Sequence, residues 1–486
     1  MFRNKFFSLL SLSLLLALSF LLLILLEFSS GQTALDHQVT YLPGFNGAIK
    51  FKSYTGYLKA NATRGHYLFY WFMESQNNPA TDPVVWWTNG GPGCSSIDGM
   101  VSEHGPFVVL QDGKTVVDNP YAWNKRVNMV FLEQPIGVGY SYSDTPADYQ
   151  TINDDVAAAD MNGAIRDFFT RFPQYLKNDF YIAGESYGGV YVPTAAFRVI
   201  QGNQQGEVPK INLKGIMVGN GVTDAESDAN SVPLFYKEHS LITAEDYNKG
   251  FVACKRNFYA NQNVPDCSNF LQLVSSSLNH LNPYYIYDSC TWLGDNGLTK
   301  KNSKNHPLFE LYKQRPKTKK PFIVGAESDS PCVPDHSIIS YFNNPAVRAA
   351  IGATHPIASP SGWQVCSTFI NYTQIYTTLL PFYSKLLPEI RILAYSGDVD
   401  CVLNTSGTKA GLDKLGLNVS LPYTKWIHYD ENNDIVVDGF IRKYSNGKGL
   451  TFVTVRGAGH MVPQYRPQQA LRMLDNFLND KWITKN

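Results

Sequence analysis

The chain has 486 residues, of which 44% are hydrophobic and 17% charged, a composition typical of globular proteins rather than disordered ones. Lysine and arginine together number 41, as do aspartate and glutamate. Binding to nucleic acid requires a surplus of cations, so this balance argues against a nucleic-acid partner.

The N-terminus has the pattern of a secretory signal peptide. Arg3 and Lys5 precede an apolar stretch at 6–26, and small residues follow as far as Gly31. We therefore predict a signal peptide at 1–31, with cleavage near Gly31. The stretch is also long enough to cross a bilayer, which leaves an uncleaved anchor as the alternative. No second apolar run of that length follows, so we expect no stable membrane association after cleavage.

Short apolar runs alternate with helical patterns from residue 83 onward. One helical segment begins with acids at 154 and stops at Pro173, and the last begins at Pro467. Such alternation predicts an α/β fold with a central, mostly parallel sheet flanked by helices. The runs that we predict as buried strands are 83–88, 128–132, 179–183, 215–218, 391–395 and 450–455.

The alternation is interrupted between 223 and 335, a region that holds four of the seven cysteines. We interpret it as a disulfide-tied cap insertion, since long insertions at loops cost little and often cover sites. The catalytic domain would then consist of 32–222 and 336–486. Within the insertion, the Lys- and Pro-containing stretch 295–321 predicts an exposed loop and a candidate for proteolytic processing.

Cysteines and glycosylation signals agree with passage through an oxidising compartment. Seven cysteines suit three disulfides and one free thiol, although sequence alone leaves about 105 pairings open. No Cys or His cluster has zinc spacing, and we expect no metal or cofactor. Acceptor triplets for N-glycosylation begin at Asn61, Asn371, Asn404 and Asn418.

A candidate nucleophile lies in GESYGG at 184–189, directly after a predicted strand and before a helical stretch. The segment fits G-x-S-x-G, in which the serine occupies a sharp strand-to-helix turn that exposes its hydroxyl. Ser186 is therefore the candidate nucleophile. An ordinary tight turn is the alternative when this motif is taken alone.

Candidate acid and base residues follow in the chain order Ser, acid, His that accompanies this motif. Asp398 and Asp400 come just after one predicted strand, and His460 lies in a Gly-rich loop between the last strand and the last helix. The imidazole would take the serine proton while a carboxylate fixes its tautomer. Purely structural hydrogen bonds are the alternative, but three loops in the right order favour catalysis.

A candidate oxyanion hole lies in NGGPGC at 89–94, which follows the first predicted strand. Two adjacent glycines let a backbone N–H approach a developing oxyanion, together with the N–H after the nucleophile. Gly91 and Tyr187 are the candidate donors. A simple Gly-Pro turn is the alternative.

Six segments carry a more specific signature: WWTNGGPGCSSIDGMVSEHGPF, NPYAWN, EQPIGVGYSYSD, GESYGGVYVP, SGDVD and GAGHMVP. Together they resemble the serine carboxypeptidases, the S10 peptidase family. The resemblance implies an α/β-hydrolase fold and a serine-type carboxypeptidase. Such an enzyme hydrolyses the C-terminal bond of peptides and proteins at acidic pH through an acyl-enzyme.

The resemblance also implies a role for each matching position. The nucleophile, acid and base match Ser186, Asp400 and His460. The substrate-binding positions match Gly91 and Tyr187 for the oxyanion, Asn89 and Glu185 for the terminal carboxylate, Glu103 as the partner of Glu185, and Met461 for the leaving residue. Two carboxyls in contact cannot both ionise cheaply, so one pKa rises. The protonated pair would donate hydrogen bonds to the substrate, and affinity would fall as the pH rises.

Disulfides, location and assembly are implied by the same resemblance. The pairs would be Cys94–Cys366, Cys254–Cys267 and Cys290–Cys332, with Cys401 free. The protein would reside in a lysosome or vacuole or outside the cell, and a homodimer is expected.

Two other functions remain open. Serine-carboxypeptidase-like acyltransferases share the fold and the triad, but their nucleophile motif commonly has Asp where this chain has Glu185. A protective or binding protein whose enzymatic role is secondary is the other alternative. Every catalytic group is present, which favours the peptidase.

Overall fold

The computed structural model describes residues 36–289 and 336–485, and its centre is a mixed sheet whose inner strands run parallel. The main strands are β1 Ser53–Asn61, β2 His66–Met73, β3 Val84–Thr88, β4 Asn128–Leu132, β5 Phe180–Ser186, β6 Leu213–Gly221, β7 Arg391–Gly397, β8 Val419–Tyr429, β9 Ile435–Tyr444 and β10 Leu450–Val455. Their order is β1-β2-β4-β3-β5-β6-β7-β10-β9-β8. The run from β4 to β10 is parallel, and antiparallel pairs flank it on both sides.

Helices connect the inner strands and cover the sheet. The longer ones are α1 Asp154–Arg171, α2 Gly188–Gln205, α3 Ala225–Glu238, α4 Ala244–Ala253, α5 Pro265–Ser276, α6 His336–Asn343, α7 Pro345–Ala350, α8 Leu380–Leu386, α9 Thr405–Asp413 and α10 Pro467–Asn479. Shorter helical turns lie at Ser96–Gly99, Met100–His104, Trp123–Lys125, Pro146–Gln150, Pro173–Tyr175, Phe258–Asn261 and Val462–Tyr465. Short strands lie at Phe107–Val109, Val116–Asp118, Tyr142–Ser143, Ile152–Asn153, Leu281–Asn282, Tyr285–Ser289, Tyr372–Thr373 and Thr484–Lys485.

The inner strands are buried on both faces, which explains their apolar sequences. In β3, Trp86 belongs to one apolar cluster and its neighbour Trp87 to another, on opposite faces of the sheet. Both indoles are fully buried. A parallel strand covered on both faces reads as a continuous apolar run rather than an alternating one.

The predicted fold class is confirmed, since each of the predicted runs forms one of the inner parallel strands. The predicted helix after 154 is α1, and the predicted last helix is α10. The outer strands β1, β2, β8 and β9 were not predicted. They pair as antiparallel hairpins outside the strand–helix alternation on which the prediction rested.

The described part of the insertion is mainly helical and ends in a hairpin. It contains α3, α4 and α5, and then the strands Leu281–Asn282 and Tyr285–Ser289. The predicted signal peptide, the processing loop at 295–321 and the Cys290–Cys332 pair lie outside the described residues. No helix in the described ranges is both long and apolar enough to span a bilayer.

Two disulfides join cysteines in the pairs that the family resemblance implies. Cys94 is bonded to Cys366, which ties the loop after β3 to a distant segment, and Cys254 is bonded to Cys267 between α4 and α5. Cys401 is the free cysteine of the described residues and is fully buried. Its thiol donates a hydrogen bond to the Pro283 carbonyl oxygen at 2.9 Å.

The predicted glycosylation at Asn404 is incompatible with the fold. Asn404 is 1% exposed, and its Nδ2, the atom that would carry a glycan, donates to Ser231 Oγ at 2.9 Å. Its Oδ1 accepts the Gly407 N–H at the start of α9, so the residue serves as a helix cap. The prediction for Asn404 is therefore wrong. Asn61 and Asn371 are half-buried and Asn418 is exposed, and glycosylation there stays a prediction.

We expect a thiol reagent to detect nothing in the native protein and a single thiol per chain after unfolding without reductant. Burial raises the pKa of the Cys401 thiol, and the reagent requires an accessible thiolate. Titration with a chromogenic disulfide in buffer and in guanidinium measures both states. The Cys401→Ser variant should react in neither, and further thiols in the unfolded wild type would contradict the Cys290–Cys332 pair.

Candidate active site

The turn that carries Ser186 connects the end of β5 to the start of α2. Ser186 has a φ of 59°, a left-handed backbone conformation that non-glycine residues rarely adopt. Its carbonyl accepts the Val222 N–H at 3.0 Å, which fixes the turn against the end of β6. A Cβ on Gly189 would lie 2.4 Å from the Val222 oxygen, so the turn requires glycine there. The strain and the half-exposed position of Ser186 match a nucleophile turn.

Asp400 and His460 meet beyond the ends of β7 and β10. His460 Nδ1 lies 2.7 Å from Asp400 Oδ2, and the two residues are 3% and 0% exposed. Asp398 instead accepts the Gly457 N–H at 2.6 Å. The structure therefore brings His460 to the second aspartate of the GDVD segment rather than the first.

The Asp400 carboxylate is held by donors other than the imidazole. Oδ1 accepts the Val402 N–H at 2.8 Å, and Oδ2 accepts the Asn220 Nδ2 at 2.9 Å. Asn220 Oδ1 in turn accepts the Gly397 N–H at 2.8 Å. These bonds balance a buried negative charge that would otherwise be costly, and they fix its orientation.

The loop at 89–94 lies directly against the nucleophile turn. A Cβ on Gly90 would lie 2.4 Å from the Tyr187 nitrogen and 2.7 Å from Ser186 Cβ, so only glycine fits there. Gly91 has a φ of 108°, a conformation available to glycine. The N–H groups predicted to form the oxyanion hole, those of Gly91 and Tyr187, thus belong to two segments that touch each other.

A buried cluster of carboxyl groups lies beside the turn that carries Ser186. The Asn89 Nδ2 donates to Glu185 Oε1 at 3.0 Å and to Glu103 Oε1 at 3.2 Å. The Asn89 Oδ1 accepts the Trp87 indole N–H at 2.7 Å, which sets the direction of the amide. Glu103 and Glu185 are each 4% exposed, and the structure brings this predicted group together.

The two glutamates require at least one proton between them. Both Oε1 atoms accept from the same Asn89 amide, and neither buried Oε2 atom has a hydrogen-bond donor among the described residues, so two charges here would be poorly compensated. Burial, reinforced by the nearby Asp98, raises the pKa of Glu103 to about 8. Burial and then repulsion from Glu103 raise the pKa of Glu185 well above its ordinary value. Burial also raises the pKa of Asp98 to about 7.

One wall of the site comes from the hairpin at the end of the described insertion. The Tyr284 ring centroid lies 4.7 Å from that of His460, and the Tyr284 carbonyl accepts the His460 N–H at 2.8 Å. Met461 follows His460 and is half-buried. The insertion therefore contacts the histidine loop directly.

Sequence reasoning missed residues that support the site rather than perform its chemistry. Asn220 lies in the GNG segment at the end of β6, between the strands of Ser186 and Asp400, and this placement was readable as a signal. Asp98 lies in the SSIDGM segment close to Glu103, but only the turn of the chain brings the two acids together. For Tyr284 the sequence offers no signal.

The described residues give no indication of a metal-binding site. In residues 36–289 and 336–485, no group of three or more His, Cys, Asp or Glu side chains is placed to hold an ion. The site as arranged offers a hydroxyl, an imidazole with its carboxylate, backbone N–H donors and a buried proton-sharing pair. Such a set can perform acyl transfer.

Comparisons with known proteins show the family to which the chain belongs. A family model described as serine carboxypeptidase matches residues 43–480. Serine carboxypeptidase-like 20 from Arabidopsis thaliana is 37% identical over 92% of this chain and 93% of its own length. Serine carboxypeptidase 1 from Hordeum vulgare is 36% identical over 91% and 92% of the two chains. The lysosomal protective protein of Mus musculus is 36% identical over 94% and 97%.

A solved structure shares the fold. The prohormone-processing carboxypeptidase KEX1(delta)p from Saccharomyces cerevisiae superposes with a TM-score of 0.71, covering 91% of this chain and 96% of that one. The two are 21% identical.

We expect the protein to be more stable at pH 5 than at pH 8. Folding raises the pKa of Glu103 from 4.5 to about 8, so the native state binds more protons than the unfolded chain between these values. The free energy of unfolding then decreases as the pH rises through this window. Tm measured by calorimetry should therefore be lower at pH 8 than at pH 5. In the Glu103→Gln variant this decrease in Tm should be smaller.

The matched control for this prediction is Glu245→Gln, which changes an exposed glutamate paired with Lys249. Its pH dependence should equal that of the wild type, because exposed ion pairs contribute little. If Glu103→Gln and the wild type lost the same Tm between pH 5 and pH 8, Glu103 would not be protonated in the native state.

Proposed function

Because the chain belongs to the serine carboxypeptidase family, we propose that it hydrolyses the C-terminal peptide bond of peptides and proteins at acidic pH through an acyl-enzyme. The observation that carries the proposal is the buried group of Asn89, Glu103 and Glu185 next to Ser186. An endopeptidase or a lipase would have no use for a pocket that recognises a free carboxylate.

The chemical step uses the turn, the imidazole and the loop at 89–94. Ser186 Oγ attacks the scissile carbonyl carbon, and its proton passes to His460 Nε2 while Asp400 holds Nδ1–H. The negative charge on the former carbonyl oxygen is met by the N–H groups of Gly91 and Tyr187. Collapse of this intermediate expels the C-terminal amino acid, whose amine takes the proton from His460. Water repeats the sequence to release the acyl group.

Recognition of the free C-terminus follows from the protonated pair. When Glu103 and Glu185 are protonated, they donate hydrogen bonds to the substrate carboxylate, and the Asn89 amide, which is bonded to both of them, holds the pair in place. When one of them ionises, the pocket repels that carboxylate in a desolvated environment, where charge interactions are strong. Met461, next to His460, would line the pocket for the leaving residue.

The relatives include a lysosomal protein, and this is consistent with a protein of the secretory pathway. Delivery to a lysosome or vacuole or to the exterior is part of the proposal, and it agrees with a site that binds best in acid. Peptide and protein C-termini are the partners that this site would take.

We expect KM for a blocked dipeptide with a free C-terminus to be lowest in acid and to rise as the pH passes about 8, where the Glu103 carboxyl ionises. At pH values above the pKa of Glu103, its protonated fraction falls tenfold per pH unit. KM should therefore rise about tenfold per pH unit in that range. Glu103→Gln should flatten this dependence, because an amide does not ionise. Steady-state kinetics from pH 4.5 to 9 measure it, with Glu245→Gln as the control.

The amide of the same dipeptide tests recognition of the terminal carboxylate. The wild type should cleave it at least about 100-fold less efficiently, since removing one partner of a buried charged hydrogen bond costs about 3 kcal/mol. Ser186→Ala should abolish cleavage of both substrates. Equal cleavage of the free acid and the amide in mild acid would refute the carboxypeptidase proposal, as would transfer of the acyl group to an added alcohol in place of water.

A further inference from the structure

A buried carboxylate outside the catalytic group lies at the start of α1. Asp154 is 1% exposed and is the first residue of that helix. It does not serve as the N-terminal cap, because the Asn153 side chain accepts the Val156 N–H in that role. The Asp154 carboxylate is therefore available for other bonds, and the proposed function makes no use of it.

Asp154 accepts four hydrogen bonds from two separate segments. Oδ1 accepts the hydroxyls of Tyr187 at 2.7 Å and Tyr372 at 2.8 Å. Oδ2 accepts the backbone N–H groups of Ile375 at 2.6 Å and Tyr376 at 3.0 Å. Four donors offset the cost of burying the charge, so this carboxylate is a fully bonded hub rather than a solvated surface acid.

One of these partners is the residue whose backbone N–H faces the proposed oxyanion. Tyr187 follows Ser186 and is the residue immediately before α2. Its ring is 3% exposed, and its hydroxyl points to Asp154. Fixing both ends of this side chain restricts rotation of the Tyr187 peptide unit, which carries the donor N–H.

The other half of the proposed oxyanion hole is bonded to the same aromatic group. The Tyr191 hydroxyl accepts the Gly93 N–H at 3.2 Å, in the loop that carries Gly91. The Tyr191 ring lies 5.2 Å from that of Tyr187 and 6.2 Å from that of Tyr372, both nearly perpendicular. Edge-to-face contacts of this kind hold rings in defined orientations. The two segments of the proposed oxyanion hole are thus held by the same buried group of tyrosine rings.

We propose that Asp154 is a positioning residue for the oxyanion hole: it holds Tyr187 directly through the tyrosine hydroxyl, and it holds the loop of Gly91 indirectly, through the rings of Tyr187 and Tyr372 that pack against Tyr191. The inference rests on the proposed function for the identity of the hole. Asp154 touches neither substrate nor nucleophile, so its removal acts on the transition state through Tyr187 and leaves recognition of the substrate carboxylate intact.

The test compares kcat with KM in single variants. Asp154→Asn keeps one acceptor oxygen but replaces the other by an amide NH2 group, which donates and cannot accept, and Tyr187→Phe removes the hydroxyl while keeping the backbone N–H. For a blocked dipeptide we expect Asp154→Asn to lower kcat about 10- to 100-fold, because small misplacements of catalytic groups carry penalties of this size. KM should change less than about threefold. Rates are normalised to folded protein.

The matched control is Tyr175→Phe. The Tyr175 hydroxyl donates to the Glu74 carboxylate at 2.5 Å, so this variant also removes a tyrosine–carboxylate hydrogen bond. Tyr175 lies past the other end of α1, whose 18 residues span about 27 Å. We expect wild-type kcat for Tyr175→Phe. The double variant of Asp154→Asn with Tyr187→Phe should lose no more than Asp154→Asn alone, since both changes break one linkage.

A second readout separates this inference from the proposed function. The rate at which a serine-reactive phosphonate phosphonylates the protein depends on the nucleophile and the oxyanion hole but not on recognition of a peptide carboxylate. We expect this rate to fall in Asp154→Asn and Tyr187→Phe and to stay at the wild-type level in Tyr175→Phe. If the wild type reacted with the phosphonate but did not cleave the dipeptide, the proposed substrate would be wrong while the inference still held.

Wild-type kcat and phosphonylation rate in both Asp154→Asn and Tyr187→Phe would overturn the inference. A loss confined to KM, with the phosphonylation rate unchanged, would equally overturn it, because Asp154 would then act on substrate binding. Should Asp154→Asn not fold, Tyr187→Phe and Tyr372→Phe carry the test, since each removes only one hydroxyl from the same hub.

Discussion

Carboxyl groups buried without a cation govern the chemistry of this site, and they are kept there in two different ways. Asp400 and Asp154 each accept hydrogen bonds from several donors, which hold the carboxyl group in a fixed orientation. Glu103 and Glu185 have too few donors for two charges, so protons supply what the protein does not. One fold therefore holds carboxylates that accept hydrogen bonds and, beside them, carboxylic acids that donate.

The parallel part of the sheet brings the segments that form the site to one place. Because β3, β5, β6, β7 and β10 run in the same direction, the segments that follow their carboxyl ends all reach one edge of the sheet. The nucleophile turn, the loop at 89–94 and the loops of Asp400 and His460 belong to that edge. Packing on both faces keeps the strands rigid, and the functional groups sit on short turns whose paths the strands determine.

Glycine at the point of closest approach is a geometric requirement of the same arrangement. Gly90 passes within contact of the Tyr187 nitrogen, where a methyl group would overlap the backbone. The Cys94–Cys366 disulfide and the Tyr191 hydroxyl hold this loop from the other side. The insertion adds the Tyr284 contact to His460, so a segment outside the strand–helix alternation also shapes the site.

The sequence by itself determined the α/β class and the inner strands, and it indicated Ser186 and His460 as candidate reactive residues, because buried parallel strands and sharp glycine turns leave local patterns. It did not reveal the outer antiparallel hairpins, nor that His460 would contact Asp400 in preference to Asp398 without the family resemblance. Asn404 has the acceptor triplet for glycosylation, and its position near Asp400 made it the weakest of the four candidates; its burial against Ser231 is visible only in the tertiary structure. Asp98, Asp154, Asn220 and Tyr284 acquire their importance from neighbours distant in the chain, and such proximity is a property of tertiary packing that no local pattern encodes.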